Sequence, residues 1–211
     1  MKTANEFRGN LNLHHGRYRG EGQYNMPLLK RTDIHIPTEW IGFHEVNSFK
    51  GDCTHTGVHF FLDDYHFERV WKSPTRYLRM LRQFALVATP DFSMYMDYPK
   101  AMQIWNHYRK QWLGSYWQRE GISVIPTISW SDEGSLDWCM DGVPKEMPVI
   151  VSAIGIGRNK AAESRFRVGY ERMLHILRPK EVISYGSLPQ GCQADRYIGT
   201  HVERVRDRVN A

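Results

Sequence analysis

Residues 148–155 read PVIVSAIG, apolar at successive positions and therefore on both faces of a strand, and Gly155 closes the run onto the polar segment IGRNKAAES (156–164). A strand that is apolar on both faces has to be covered on both, as strands of parallel sheets are. Immediately after it, AAESRFRVGYERMLHILRP (161–179) places Phe166, Tyr170, Met173, Leu174 and Leu177 on one helical face, and Pro179 ends the helix. EVISYG (181–186) then opens another short apolar run. Strand, helix and strand in that order predict a crossover unit and hence parallel pairing.

The same alternation extends upstream. IGFHEV (41–46), GVHFFLDD (57–64), FALVAT (84–89) and ISVIPTISW (122–130) are further apolar runs rich in β-branched and aromatic residues. Between them, PTRYLRMLRQF (74–84) carries an apolar stripe of Tyr77, Leu78, Leu81 and Phe84. In the segment from Pro99 to Gly121, Ala101, Trp105, Tyr108, Trp112 and Tyr116 recur at helical spacing and predict the buried face. Ile198, Val202, Val205 and Val209 predict a last helix. The expectation is an α/β protein with a mainly parallel sheet and crossover helices. An incomplete (β/α)-barrel is favoured over an open doubly wound sheet, because a full eightfold barrel takes about 250 residues. Residues 1–39 show neither period and are expected to form an irregular N-terminal arm, leaving 40–211 as a single α/β domain.

Composition bounds the rest. The 211 residues are 41% hydrophobic and 24% charged, which excludes disordered, collagenous and coiled-coil classes. Three cysteines, Cys53, Cys139 and Cys192, argue against a disulfide framework. No apolar run has the length of a membrane span and the first residues lack a secretory apolar segment, so a cytoplasmic protein without a membrane partner is expected. The net charge of +5 is compatible with a polyanionic partner, and Arg76, Arg79 and Arg82 form a basic stripe with Lys72 nearby.

In either architecture ligands bind beyond the carboxyl ends of the strands, so the polar residues closing each run form the candidate site. These are Glu45, Asp63, Asp64, Asp91, Ser93, Thr127, Ser129, Asp132, Glu133, Ser152, Tyr185 and Ser187, with Trp130 beside Ser129. Converging carboxylates hold a divalent cation such as Mg2+ or divide into an acid and a base, which makes Asp64 and Asp91 candidate metal ligands and Asp63, Asp64, Asp91 and Glu133 candidate catalytic groups. The turn carrying Gly155, Gly157, Arg158 and Lys160 suits a phosphate, since glycines let backbone N–H groups approach an anion at a helix start. It matches neither the dinucleotide nor the Walker pattern. Cys53, His55 and His59 lack the spacing of a structural zinc site.

Four strings resemble, in order, blocks of a bacterial and phage family catalogued only as a domain of unknown function: HFFLDDYHFERVW, TPDFSMYMDYP, WLGSYWQREGISVIPTISW and LRPKEVISYG. They cover residues 59–186. The resemblance implies a protein typical of phages, plasmids and other mobile elements, carries no activity, and directs attention to Asp63, Asp64, Tyr65, Asp91, Ser93, Trp117, Gln118, Trp130 and Tyr185.

Together these readings predict a protein that binds a phosphate-bearing ligand, nucleic acid or nucleotide, at the strand-end rim, with metal-dependent hydrolysis as the candidate chemistry. Ser93, Ser129, Trp130 and Tyr185 join the glycine turn as expected ligand contacts. The rival readings are a non-enzymatic module that binds nucleic acid or a host or phage protein through the basic stripe, and a glycosidase-like carboxylate pair.

Overall fold

The computed structural model describes residues 11–16, 18–156, 159–203 and 206. Strands β1 (Gly20–Glu21) and β2 (Met26–Pro27) make a small antiparallel ladder. Strands β3 (Glu39–Gly42), β4 (Thr56–His59), β5 (Leu86–Ala88) and β6 (Val124–Ile125) pair side by side as one parallel sheet. Strands β7 (Thr127–Ile128), β8 (Val149–Ser152), β9 (Val182–Tyr185) and β10 (Arg196–Ile198) form a second parallel sheet. The main helices are α1 (Glu68–Lys72), α2 (Pro74–Leu81), α3 (Lys100–Arg119) and α4 (Lys160–Leu177). The α/β class with parallel strands and crossover helices is therefore that of the structure. Among the described residues these strands pair as two four-stranded sheets, with no ladder closing them into a barrel.

One residue separates the sheets. Pro126 has no N–H for the ladder, so the run expected as a single strand over 122–130 divides around it. Val124–Ile125 pairs with β5 and Thr127–Ile128 with β8. Thr127 repairs the break: its N–H donates to Thr89 Oγ1 at 2.8 Å and its hydroxyl to the Thr89 carbonyl at 2.6 Å. The Pro126 carbonyl accepts from Ile150 N–H at 3.0 Å. Inward residues of both sheets, Trp40, Leu86, Ala88, Ile125, Ile150, Ile183, Tyr185 and Ile198, pack with Ile36 in one apolar layer.

Helices cover the outer faces. Phe67, Val70 and Trp71 around α1, Leu78 and Leu81 of α2 and Trp112, Leu113, Tyr116 and Trp117 of α3 share a core with the first sheet. Phe166, Tyr170, Met173 and Leu177 of α4 pack on β7, β8 and β9, the face predicted for that helix except at Leu174, which is exposed. Among the described residues, no helix is long and apolar enough to cross a membrane.

Two local expectations are corrected. The predicted stripe of α3 is buried at Trp112 and Tyr116, but Ala101 and Trp105 face solvent while Gln103, Asn106, His107, Arg109, Lys110 and Gln111 are buried. The helix is enclosed nearly all round in its second half, so apolar spacing alone misplaces its inner face in the first. Ile198 ends β10 instead of starting a helix. The helical turn begins after Gly199, where Thr200 and Glu203 cap one another: Thr200 N–H donates to Glu203 Oε2 at 2.7 Å and Glu203 N–H to Thr200 Oγ1 at 3.2 Å. Val205 and Val209 lie outside the described residues. The described residues of the arm expected over 1–39 contain the β1/β2 ladder and are bonded to the rest of the chain. Lys30 N–H donates to Gln118 Oε1 at 2.7 Å, Gln118 Nε2 donates back to the Lys30 carbonyl at 2.9 Å, and Asn12 Nδ2 donates to the Trp71 carbonyl at 2.7 Å.

Candidate functional site

A cleft of about 690 Å³ opens where β4, β5, β7 and β8 end. Its walls are largely apolar, with Phe61, Met94, Ile128, Trp130 and Phe166 among them, and the Trp130 and Phe166 rings lie 4.9 Å apart. Trp130 owes its place to a glycine. A Cβ at Gly169 of α4 would fall 2.2 Å from Trp130 Nε1, so only glycine lets the indole lie against the helix there.

The floor is polar. Lys110, 1% exposed, reaches from α3 and donates from Nζ to Ser129 Oγ at 2.9 Å. Beyond it lies the Asp91 carboxylate, which lines the cleft and is influenced by both the Ser129 hydroxyl and the Lys110 charge. Burial disfavours the charged form of both end groups. It pushes the Asp91 carboxyl above the usual carboxylate range, a shift that Lys110 and the Ser129 bond oppose and that Asp64 reinforces. Burial also holds the Lys110 ammonium below its ordinary value, with Asp91 opposing. An amine, a hydroxyl and a carboxyl in series, their proton affinities drawn toward each other, can pass a proton along the chain.

A second network stands behind the floor. Asp64 accepts from Ser93 N–H at 3.1 Å and from the Ser93 hydroxyl at 2.8 Å. The Ser93 carbonyl accepts from Asn106 Nδ2 at 2.6 Å, and Asn106 Oδ1 accepts from Arg109 Nη2 at 2.6 Å. Arg109 Nη1 donates to both Glu68 carboxylate oxygens, at 2.9 and 2.8 Å, while the guanidinium carbon sits 3.9 Å from the Phe92 ring centre. Burial raises the Asp64 carboxyl, against the Ser93 bonds and the Arg109 charge.

The expected residues divide accordingly. Asp63, Asp91, Ser93, Ser129, Trp130 and Gly155 line the cleft, as does Ser152. Asp64 stands behind it, close enough to Asp91 to raise that group but tied to Ser93. Glu133 is exposed in the 3-10 turn Glu133–Asp137 and does not line the cleft. Lys160 is exposed in the first turn of α4, whose later residues Ala162, Arg165 and Phe166 do line it. Gly157 and Arg158 lie outside the described residues. Tyr185 is buried in the inner layer, its ring stacked 4.9 Å from Phe61. Of the supposed softer ligands, His55 bonds to Asp52 at the surface and His59 is buried 4.4 Å from the Tyr185 ring. The basic stripe is split: Arg76 and Arg79 line a surface groove with Arg69, whereas Arg82 turns away to bond Glu120.

Sequence reasoning missed Lys110, Arg109 and Asn106. Their signal was a polar row, Gln103, Asn106, His107 and Lys110, at the same helical spacing as the aromatic one.

Residues 18–203 match the family described as Domain of unknown function (DUF4417), so the match takes in the floor and walls of the cleft. The chain is 38% identical over 199 residues to the Gene 1 protein of Mycobacterium phage L5, covering 92% of this chain and 86% of that protein. It is 43% identical over 131 residues to the Gene 1 protein of Mycobacterium phage D29, covering 62% of this chain and 48% of that one. No solved structure matches.

Proposed function

The chain belongs to the DUF4417 family, a phage-type family whose description names no activity, and from the cleft itself we propose that it binds a nucleotide or the end of a nucleic acid and transfers a proton to or from it. The observation that carries this is the row of buried Lys110 and half-buried Ser129 and Asp91 at the foot of an aromatic-walled cleft. Buried titratable groups with no structural salt bridge between them are costly to keep, and such groups concentrate where chemistry needs them. The ligand class follows from the two sides of the cleft. Trp130 and Phe166 offer faces on which a base stacks, and the first turns of α4 bring Arg165 and the helix's positive end toward a phosphate. In a hydrolytic reaction Asp91, on the cleft surface, would take the proton of an attacking water, with Lys110 behind Ser129 tuning its proton affinity. A divalent cation, where one is required, would find Asp91 and Asp63 on the cleft surface.

Quenching of tryptophan fluorescence by mono- and dinucleotides and short oligonucleotides tests this directly. Saturable binding that Trp130→Ala and Arg165→Ala each weaken at least tenfold supports it. Absence of saturable binding across that panel overturns it.

A second reading has an observation of its own. Arg69, Arg76 and Arg79 surround a surface groove of about 490 Å³ with Asn47, Tyr77 and Gln83, and none of its lining residues is acidic. A non-enzymatic module would hold a polyanion there. In the same titrations that reading requires the charge reversal Arg76→Glu with Arg79→Glu to abolish oligonucleotide binding, with Trp130→Ala leaving it unchanged.

A further inference from the structure

We propose that His44, Glu45 and His201 form a binding site for a divalent transition-metal ion that joins the two sheets at the carboxyl ends of β3 and β10. One ligand atom from each of the three residues lies within 4.8 Å of the other two. A cation bound at about 2.0–2.2 Å spaces its ligand atoms about 3–3.5 Å apart, so small side-chain rotations bring all three to it.

The residues come from distant parts of the chain to one place. Glu45 and His44 belong to the 3-10 turn Phe43–Glu45 that ends β3, and His201 follows β10. Those strands are the outermost of their respective sheets. A shared ion would therefore link residues 44 and 201, closing a long loop at an edge where no strand pairing does so.

Each ligand is held in orientation by its surroundings. Glu45 Oε2 accepts from Gly42 N–H at 2.9 Å, which holds the carboxylate over the start of the turn. Gly42 has no side chain, and a Cβ there would fall 2.6 Å from His44 Nδ1, so the imidazole lies directly against the main chain. His201 N–H donates to the Tyr185 hydroxyl at 3.2 Å, and the Thr200–Glu203 cap fixes the turn that carries it. Backbone and cap bonds that orient the ligand residues are what a working metal site requires around it.

Two imidazoles and one carboxylate favour zinc, iron(II) or cobalt(II) over magnesium or calcium, which take oxygen. Three protein ligands leave a coordination position open. The nearest further candidate is His66, whose ring lies 5.8 Å from that of His44 and which lines the cleft. The ion would thus stand beside the cleft wall, although its binding does not depend on what the cleft holds.

The test uses the full chain without a histidine tag, stripped with chelator and titrated with Zn2+ by calorimetry. We expect one equivalent to bind, and His201→Asn and Glu45→Gln each to weaken binding at least tenfold, while His55→Asn at the surface pair leaves it unchanged. Ring-nitrogen NMR of the wild-type protein provides a readout that needs no variant: two histidines, assigned as 44 and 201, are expected to shift on Zn2+ addition. No binding, equal affinity in all variants, or shifts confined to other histidines would each overturn the site. Because the readout is metal binding alone, failure here leaves nucleotide binding in the cleft as a separate question, and failure of nucleotide binding leaves the ion site standing.

Discussion

Two rows of buried polar residues run along α3, about 100° apart round its axis, and they are satisfied in different ways. Asn106 and Arg109 look toward α1 and β5, where Arg109 meets the Glu68 carboxylate and Asn106 ties it to Ser93. His107 and Lys110 look toward β7 and the 138–142 turn, and their hydrogen bonds go to neutral oxygens, the Asp141 carbonyl at 2.9 Å and the Ser129 hydroxyl at 2.9 Å. A cation hydrogen-bonded to a carboxylate keeps its charge at little net cost, whereas one whose hydrogen bonds go to carbonyls and hydroxyls is driven toward its neutral form, for Lys110 against the more distant charge of Asp91. Accordingly burial holds the His107 imidazole down to about 3 and lowers the Lys110 ammonium. The first row fastens the helix and the second stores proton affinity under the cleft.

Acid gives the largest expected break in that contrast. His107 is neutral in the fold well below the pH at which it titrates when unfolded, so the unfolded chain binds the extra proton first. Its contribution to stability is full above pH 6.5 and is lost as pH falls from there toward about 3, at roughly 1.4 kcal/mol per pH unit. The raised carboxyls Asp64 and Asp91 act oppositely, but a comparison of variants cancels them. We expect urea denaturation between pH 7 and 4 to show a shallower loss in His107→Gln than in the wild type. Parallel pH profiles would remove His107 from the second row.

Next in size is the first row itself. Arg109→Ala strands Glu68 and deprives Asp64 of its nearest cation, and removal of one partner from a largely buried pair costs about 3 kcal/mol. Arg109→Lys is expected to recover less than half of that, since an ammonium cannot reproduce the fork that reaches both Glu68 and Asn106. Both values come from urea denaturation at pH 7.

How much of this was legible follows from the same helix. The strands of both sheets were readable because VIVSAI and its counterparts are apolar on both faces, a pattern that burial alone explains. The division at Pro126 was readable in principle, because proline cannot serve a central ladder. β10 is the exception, since RYI is exposed at two of its three positions and only Ile198 joins the inner layer. At the site, the residues closing the strands fell on the cleft because strand direction dictates it. The floor did not, because Lys110 arrives from a helix whose aromatic residues announced a different inner face. Period reports where apolar residues face and is silent about a polar side chain buried among them.

The smallest change in stability is expected where the largest change in binding is. Lys110→Met keeps length and volume, removes an ammonium already disfavoured by burial, and leaves Ser129 free to donate to Asp91. Replacing a buried ion by an apolar group of similar shape is often neutral, so unfolding free energy is expected to change by less than about 1 kcal/mol. Nucleotide quenching, by contrast, is expected to weaken at least tenfold, because the variant loses the cation that reaches the floor through Ser129. Should Lys110→Met destabilise as much as Arg109→Ala, the two rows would be alike: Lys110 would then be a charged structural partner of Asp91, and the proton chain beneath the cleft would be one more fastening of α3.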